Sequence, residues 1–264
     1  EPFVNLFNQG MLHKDGVVMS KSKGNIITQD EISQKYGIDT GRWYLMSVAS
    51  PDKDIEWDDK AVEGSFRALN RIVALIENAK YTAKDERITS KMHKTIKDVT
   101  TTLESMSYNI SLIQIMDYVS YLMKCPAVTK GSIEAVIKLI APIVPHLAEE
   151  LWEMTKHKGF ISVEPWPKFD EKKINPKIDA AEELVENTTS DIQAVLNLIK
   201  ITPKEITLFV AEKWKYPLFK KLHQEESRDF GKLMKKFADK ERGQDVAKIV
   251  QQFMKGALKT DVVL

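Results

Sequence analysis

The sequence predicts a mainly α fold: a helical bundle, preceded by a short α/β stretch and followed by a small α+β unit. Three observations carry this. Apolar residues recur at three- and four-residue steps from Asp58 to about Glu153, the spacing of helices with one apolar stripe. Two short apolar runs flank Lys14-Asp15-Gly16 near the start. Residues 205–210, Glu-Ile-Thr-Leu-Phe-Val, read as the clearest strand in the chain. The divisions fall at 1–58, 59–178 and 179–264.

Along the chain, Met11-Leu12-His13 and Val17-Val18-Met19 predict a hairpin, with Gly16 supplying the positive φ a tight turn needs. Thr28-Gln29-Asp30-Glu31 has the spacing of a capping box, so a helix starts near Gln29 and ends before Gly37. Asp39 is placed to cap the next helix, which Ser50-Pro51-Asp52 stops. Phe66, Leu69, Ile72, Val73 and Ile76 form one bundle stripe. Leu103, Met106, Ile110 and Ile113 form another. The segment from Ile133 to Trp152 is helical with an interruption at Pro142 and Pro145. Residues 160–178, with Pro165, Pro167 and Pro176, are a connecting stretch. A helix follows from Asp179 to Lys200. The strand at 205–210 needs a partner, which the sequence does not supply.

Composition bounds the function. Of 264 residues, 43 % are hydrophobic and 29 % charged, the balance of a globular chain with cores to bury. The single cysteine, Cys125, excludes an internal disulfide and fits a reducing, cytoplasmic setting. No run is apolar for long enough to span a bilayer; the best, 135–147, holds Lys138, Pro142, Pro145 and His146. The chain opens on Glu1 rather than methionine and so reads as a fragment. Its net charge of +1 hides a C-terminal excess: residues 201–264 hold 14 Lys and Arg against 9 Asp and Glu. Such a stretch suits a phosphate backbone, although solvated amphipathic helices produce the same count.

The most informative stretch is 16–25. Ser20, Ser22 and Gly24 let backbone N–H groups come close to a ligand, and Lys21 and Lys23 supply positive charge. Oriented N–H groups beside cationic side chains suit a polyphosphate. Ser/Lys/Gly loops are also common in solvent, so composition stops there.

Val18-Met19-Ser20-Lys21-Ser22, continued by Lys23-Gly24-Asn25, resembles the mobile signature loop of the class I aminoacyl-tRNA synthetases, Lys-Met-Ser-Lys-Ser. The similarity runs on through Glu1-Pro2-Phe3, Gln9-Gly10-Met11, Tyr36-Gly37-Ile38-Asp39, Arg42, Asp54-Ile55-Glu56-Trp57, Val62-Glu63-Gly64, Arg67 and Leu69-Asn70-Arg71. These resemble the leucine enzymes of that class. The run from Ala141 to Trp152 is similar to a helix of their anticodon-binding bundle, and Lys200-Ile201-Thr202-Pro203 through Lys213-Trp214-Lys215 to the archaeal type. The resemblance covers roughly residues 1–255. Val18 stands where the signature has its first lysine; Lys21 aligns with the lysine of larger catalytic role.

The resemblance implies that residues 1–58 close a Rossmann-type catalytic domain and that the bundle is an anticodon-binding domain. It implies a parent leucine–tRNA ligase, a monomer, whose partners are tRNA(Leu), leucine and ATP with Mg²⁺. Met19, Ser20, Lys21 and Ser22 would bind ATP, with Lys21 catalytic. Lys213, Trp214 and Lys215 are candidate tRNA contacts, an aromatic between two lysines suiting RNA. Valine, isoleucine or methionine as the amino acid, and a non-catalytic tRNA-binding module, are the alternatives. No His-x-Gly-His signature is present, so the chain alone is expected not to activate leucine. No metal site is assigned. Cys125 has no ligand set around it, and His146, Glu149 and Glu150 share a helix face that reads as structural.

Overall fold

The computed structural model describes residues 6–200, 202–208, 210–225, 229–238 and 242–255. The chain forms two compact units, Glu1–Asn175 and Pro176–Leu264.

The first unit begins with the expected hairpin. Strands β1 (Leu12–Lys14) and β2 (Val17–Val18) pair antiparallel, His13 facing Val18. Asp15 and Gly16 both have positive φ, 55° and 75°, the two-residue turn whose twist matches the strands. Helices α1 (Gln29–Tyr36) and α2 (Ile38–Val48) then return the chain to β3 (Ile55–Glu56), which pairs parallel to β1. The capping box on α1 forms as expected: Thr28 accepts the Glu31 N–H and Glu31 accepts the Thr28 N–H. Tyr44, fully buried on α2, locks that helix to the chain just past β3. Its hydroxyl accepts the Asp58 N–H at 3.0 Å, and its ring meets Trp57 edge-on.

The bundle comprises α3 (Asp59–Glu77), α4 (Glu86–Glu104), α5 (Tyr108–Lys124), α6 (Lys130–Ile140) and α7 (Pro145–Met154). Asp58, Asp85 and Thr129 cap α3, α4 and α6 with their side chains. Helix α6 is deeply buried. Ser132, Ile133, Ala135, Val136, Ile137, Leu139 and Ile140 are all buried, the mark of a helix covered on most sides. Ile72, Ile88, Leu112, Ile115, Leu122 and Leu151 belong to the same core, each worth roughly 1.5–3 kcal/mol of burial. The expected interruption near Pro142 is a full break, with Pro145 at the first position of α7.

One expected stripe is corrected. Leu103, Met106, Ile110 and Ile113 do not share a helix. The chain turns at Met106, φ 57°, and Met106, Ile110 and Ile113 are exposed. The three- and four-residue spacing continues across a helix break.

Residues 166–175 run along α4 as a strap. Four α4 side chains at helical spacing hold it. Ser90 Oγ accepts the Asn175 N–H at 2.8 Å, and His93 Nδ1 accepts the Asp170 N–H at 3.1 Å. Lys97 pairs with Glu171 at 2.8 Å, and Thr100 accepts the Trp166 indole N–H at 2.9 Å.

The second unit holds α8 (Pro176–Ile199), α9 (Lys215–His223), α10 (Phe230–Phe237) and α11 (Gly243–Met254). Leu222, Leu233, Val246, Val250 and Phe253 form its core. The strand expected over 205–210 is corrected: residues 205–208 and 210 carry none, and 209 lies outside the described residues. Ile206, Leu208 and Val210 are at least half exposed, so their alternation has no second strand to bury it. Among the described residues this unit is helical rather than α+β. No helix of the described residues is long and apolar enough to cross a membrane.

Candidate functional site

The loop from Met19 to Asn25 is built between β2 and α1. The Met19 N–H bonds Leu12 O at 2.8 Å, which ends the hairpin ladder. Lys21–Lys23 then form one 3-10 turn, closed by Gly24 at φ 65°. A side chain at position 24 would have to hold a left-handed conformation, so glycine lets the turn close without strain. Asn25 ties the loop shut. Its Oδ1 accepts the Ser20 N–H at 2.9 Å, and its Nδ2 donates to Val18 O at 3.3 Å and Val17 O at 3.4 Å.

This arrangement puts the chemistry outward. Lys21, Ser22 and Lys23 are exposed, and among the described residues neither lysine is in an ion pair. Ser20 Oγ lies 3.2 Å from Ser22 Oγ, so two hydroxyls share one edge of the turn. The N–H groups of Lys21 and Ser22 begin the turn and have no carbonyl behind them within it. Two cations, two hydroxyls and two N–H groups without an acceptor in the turn, on a short, tethered loop, fit an anionic oxygen cluster. Val18 is half-buried in β2 opposite His13 and adds no charge.

Asn25 was not among the residues singled out from the sequence for the loop's chemistry. Its place just after Gly24 was the available signal, since asparagine side chains bond nearby backbone in turns.

The root of the loop is fixed by 51–57. Gly10 N–H bonds Pro51 O, Met11 N–H bonds Asp54 Oδ1, and Gly16 N–H bonds Glu56 Oε1. The Asp-Ile-Glu-Trp run therefore braces the hairpin that carries the loop.

Asp39 does not cap its own helix as expected. Gly37 precedes α2 without a side-chain cap, and Asp39, 8 % exposed, reaches instead to the start of α7. Its Oδ2 accepts the Leu147 N–H at 2.7 Å and its Oδ1 lies 2.9 Å from His146 Nδ1. One turn on, Arg42 donates to Ile143 O at 2.7 Å and Pro142 O at 3.2 Å. Glu149 holds the N–H groups of Ile161 and Ser162 at 2.8 and 3.1 Å. Desolvation works against its charge, but those two bonds win and draw its pKa below the usual carboxylate value. His146 and Glu149 thus serve different partners.

The structure separates Lys213, Trp214 and Lys215. Lys213 is exposed. Trp214 is half-buried against the core of the second unit, its indole N–H bonded to Glu212 at 2.7 Å. Lys215 Nζ lies 5.5 Å from the Trp214 ring centre and 3.5 Å from Glu212. The guanidinium of Arg242, distant in sequence, lies 4.8 Å from the same ring centre.

Residues 1–58 match the family described as tRNA synthetases class I (I, L, M and V). Residues 85–208 match the anticodon-binding domain of tRNA ligase. Among solved structures, the chain is similar to the LeuRS of Agrobacterium radiobacter K84 in a ternary complex with tRNA and LeuAMS. The TM-score is 0.61 at 28 % identity, over 66 % of this chain and 25 % of that one. The chain spans about a quarter of the length of that LeuRS.

Proposed function

From a chain that carries a class I tRNA synthetase segment and the anticodon-binding domain of a tRNA ligase, we propose the C-terminal part of a leucine–tRNA ligase. The parent enzyme uses ATP with Mg²⁺ to attach leucine to tRNA(Leu) in the cytoplasm. The observation that carries this reading is the Lys21 turn: an outward ammonium beside two hydroxyls, on a loop anchored at both ends. The leucine assignment is supported by the similarity to a LeuRS.

In this reading the chain's residues supply position and charge. Lys21 meets the negative charge that builds on the departing phosphates as the aminoacyl-adenylate forms. Ser20 and Ser22 orient phosphate oxygens, and the open N–H groups of the turn add two further donors. Asn25 sets where the turn stands when no phosphate holds it. The bundle braces the tRNA through its shape and phosphates. The remaining part of the ATP site and the leucine pocket come from the part of the parent enzyme that precedes this chain.

The test is amino-acid-dependent pyrophosphate exchange by the full-length protein with leucine, isoleucine, valine and methionine. Leucine should dominate, and the present chain alone should give none. Exchange driven by another of the four would overturn the leucine assignment. Adenylate synthesis by the chain alone would overturn its reading as a part.

A further inference from the structure

A buried hydroxyl of α2 stands behind the hairpin that carries Lys21. Tyr44, fully buried, sets its oxygen between the two peptide groups that flank Trp57. It accepts the Asp58 N–H at 3.0 Å and donates to Glu56 O at 3.3 Å. Its ring meets Trp57 edge-on, with 4.8 Å between centres. We propose that Tyr44 is a positioning residue for Lys21: through β3 it fixes the hairpin from which the Lys21 turn reaches the phosphates of ATP. The inference rests on the tRNA-ligase reading and deepens it, by naming the group that sets the frame of the loop.

The geometry supports this at three points. First, β3 has only two residues, and a strand so short needs support from outside its own ladder. The Tyr44 hydroxyl supplies it on both sides of Trp57. Second, β3 carries the hairpin. The sheet order is β2-β1-β3; the Ile55 N–H bonds Met11 O at 2.9 Å and the Trp57 N–H bonds His13 O at 2.8 Å. On the far side of β1, the Met19 N–H bonds Leu12 O, two residues before Lys21. Third, the seam is tight. A Cβ at Gly10 would overlap the Lys53 carbonyl, so a shift of 53–57 moves the hairpin with it. Burial also pushes the pKa of the Tyr44 hydroxyl up, against a weaker pull from the Asp58 N–H, so it keeps the proton it donates to Glu56. A tyrosine that only stabilised the unit would affect activity whatever stood at position 21. One that positions Lys21 acts only where Lys21 is present.

The experiment measures leucine-dependent pyrophosphate exchange by the full-length protein, in a double-mutant cycle of Tyr44→Phe, which keeps the ring, and Lys21→Ala. Tyr44→Phe should lower kcat about tenfold, within the cost of a displacement of about 1 Å. The KM for leucine should stay within about twofold of wild type. In the Lys21→Ala background Tyr44→Phe should cause no further loss, because the group it positions is gone. Gly10→Ala, acting on the other side of the seam, should depend on Lys21 in the same way; it carries the test if Tyr44→Phe does not fold. In the 264-residue chain, the Trp57 amide of Tyr44→Phe should exchange at least about fivefold faster, while the Leu147 amide on α7 stays protected. A wild-type kcat in Tyr44→Phe, or equal losses with and without Lys21, would overturn the positioning role and leave the proposed function standing. Normal exchange of pyrophosphate in Lys21→Ala alone would instead remove Lys21 from the mechanism, and Tyr44 with it.

Discussion

Asp39 caps a helix that begins more than a hundred residues after it: its carboxylate accepts the N–H of Leu147, the third residue of α7, at 2.7 Å. An anion at that position satisfies an orphan donor and faces the positive end of the helix dipole. Because Asp39 is buried, the bond is poorly screened. Asp39→Ala should lower stability by about 2 kcal/mol, the upper range for a lost cap. Arg42 grips the loop before α7 from the next turn of α2, so Asp39→Ala and Arg42→Ala should be non-additive by at least ~0.5 kcal/mol. Urea unfolding followed by tryptophan fluorescence reads this, since four of the five tryptophans lie in the first unit. Wild-type stability in Asp39→Ala would show that the contact carries no energy.

Asn25 determines how firmly the Lys21 turn is held. Its side chain bridges the Ser20 N–H to the carbonyls of Val17 and Val18. Asn25→Ala removes these bonds at about 1 kcal/mol each. The Ser20 amide should then exchange with solvent at least about fivefold faster, while the bundle amides stay protected. Asn25→Asp keeps the acceptor for Ser20 and loses the donors, so its exchange rate should fall between the two. Unchanged exchange at Ser20 in Asn25→Ala would mean the turn is held by its strand and helix alone.

Lys21 should matter to chemistry and not to folding. Its side chain is exposed, so Lys21→Ala should leave unfolding within about 0.5 kcal/mol of wild type. In the full-length enzyme the same change should slow leucine-dependent pyrophosphate exchange by roughly 10²–10³-fold, the scale of one lost charge-stabilising donor. Near-normal exchange would remove Lys21 from the mechanism.

Local chemistry was legible in the sequence; partners distant along the chain were not. Asp15-Gly16 and the Thr28/Glu31 box specify their own geometry, and both appear where the letters put them. The helices of the bundle follow from apolar spacing. Asp39 shows the limit: a carboxylate next to a helix start reads as that helix's cap, and nothing nearby tells that it serves α7. Residues 205–210 show a second limit. Alternation marks a face, but a strand also needs a neighbour. The Lys21 turn was legible as a charged loop, yet which side chain holds it shut depended on the path of the hairpin behind it. The polar stripe Ser90, His93, Lys97 and Thr100 lies at helical spacing, but only the fold shows that it grips the strap.

That stripe gives the strap a pH dependence. Burial, assisted by the positive charge of Lys173, lowers the pKa of His93 below its ordinary value of about 6.5, against a smaller opposite pull from Asp170. The neutral ring is also the form that accepts the Asp170 N–H through Nδ1. Between the lowered native pKa and ~6.5 the unfolded chain binds more protons than the native one, so stability rises with pH there. The contribution of His93 is therefore complete above ~6.5 and is lost as pH falls from that value toward the native pKa. Comparing wild type with His93→Gln by urea unfolding from pH 8 to pH 5 isolates this residue, because the other four histidines are common to both. The wild type should lose more stability than the variant on acidification, and the protection of the Asp170 amide should fall with it. Parallel pH profiles for the two proteins would show that His93 is neutral-favouring in geometry but not in energy.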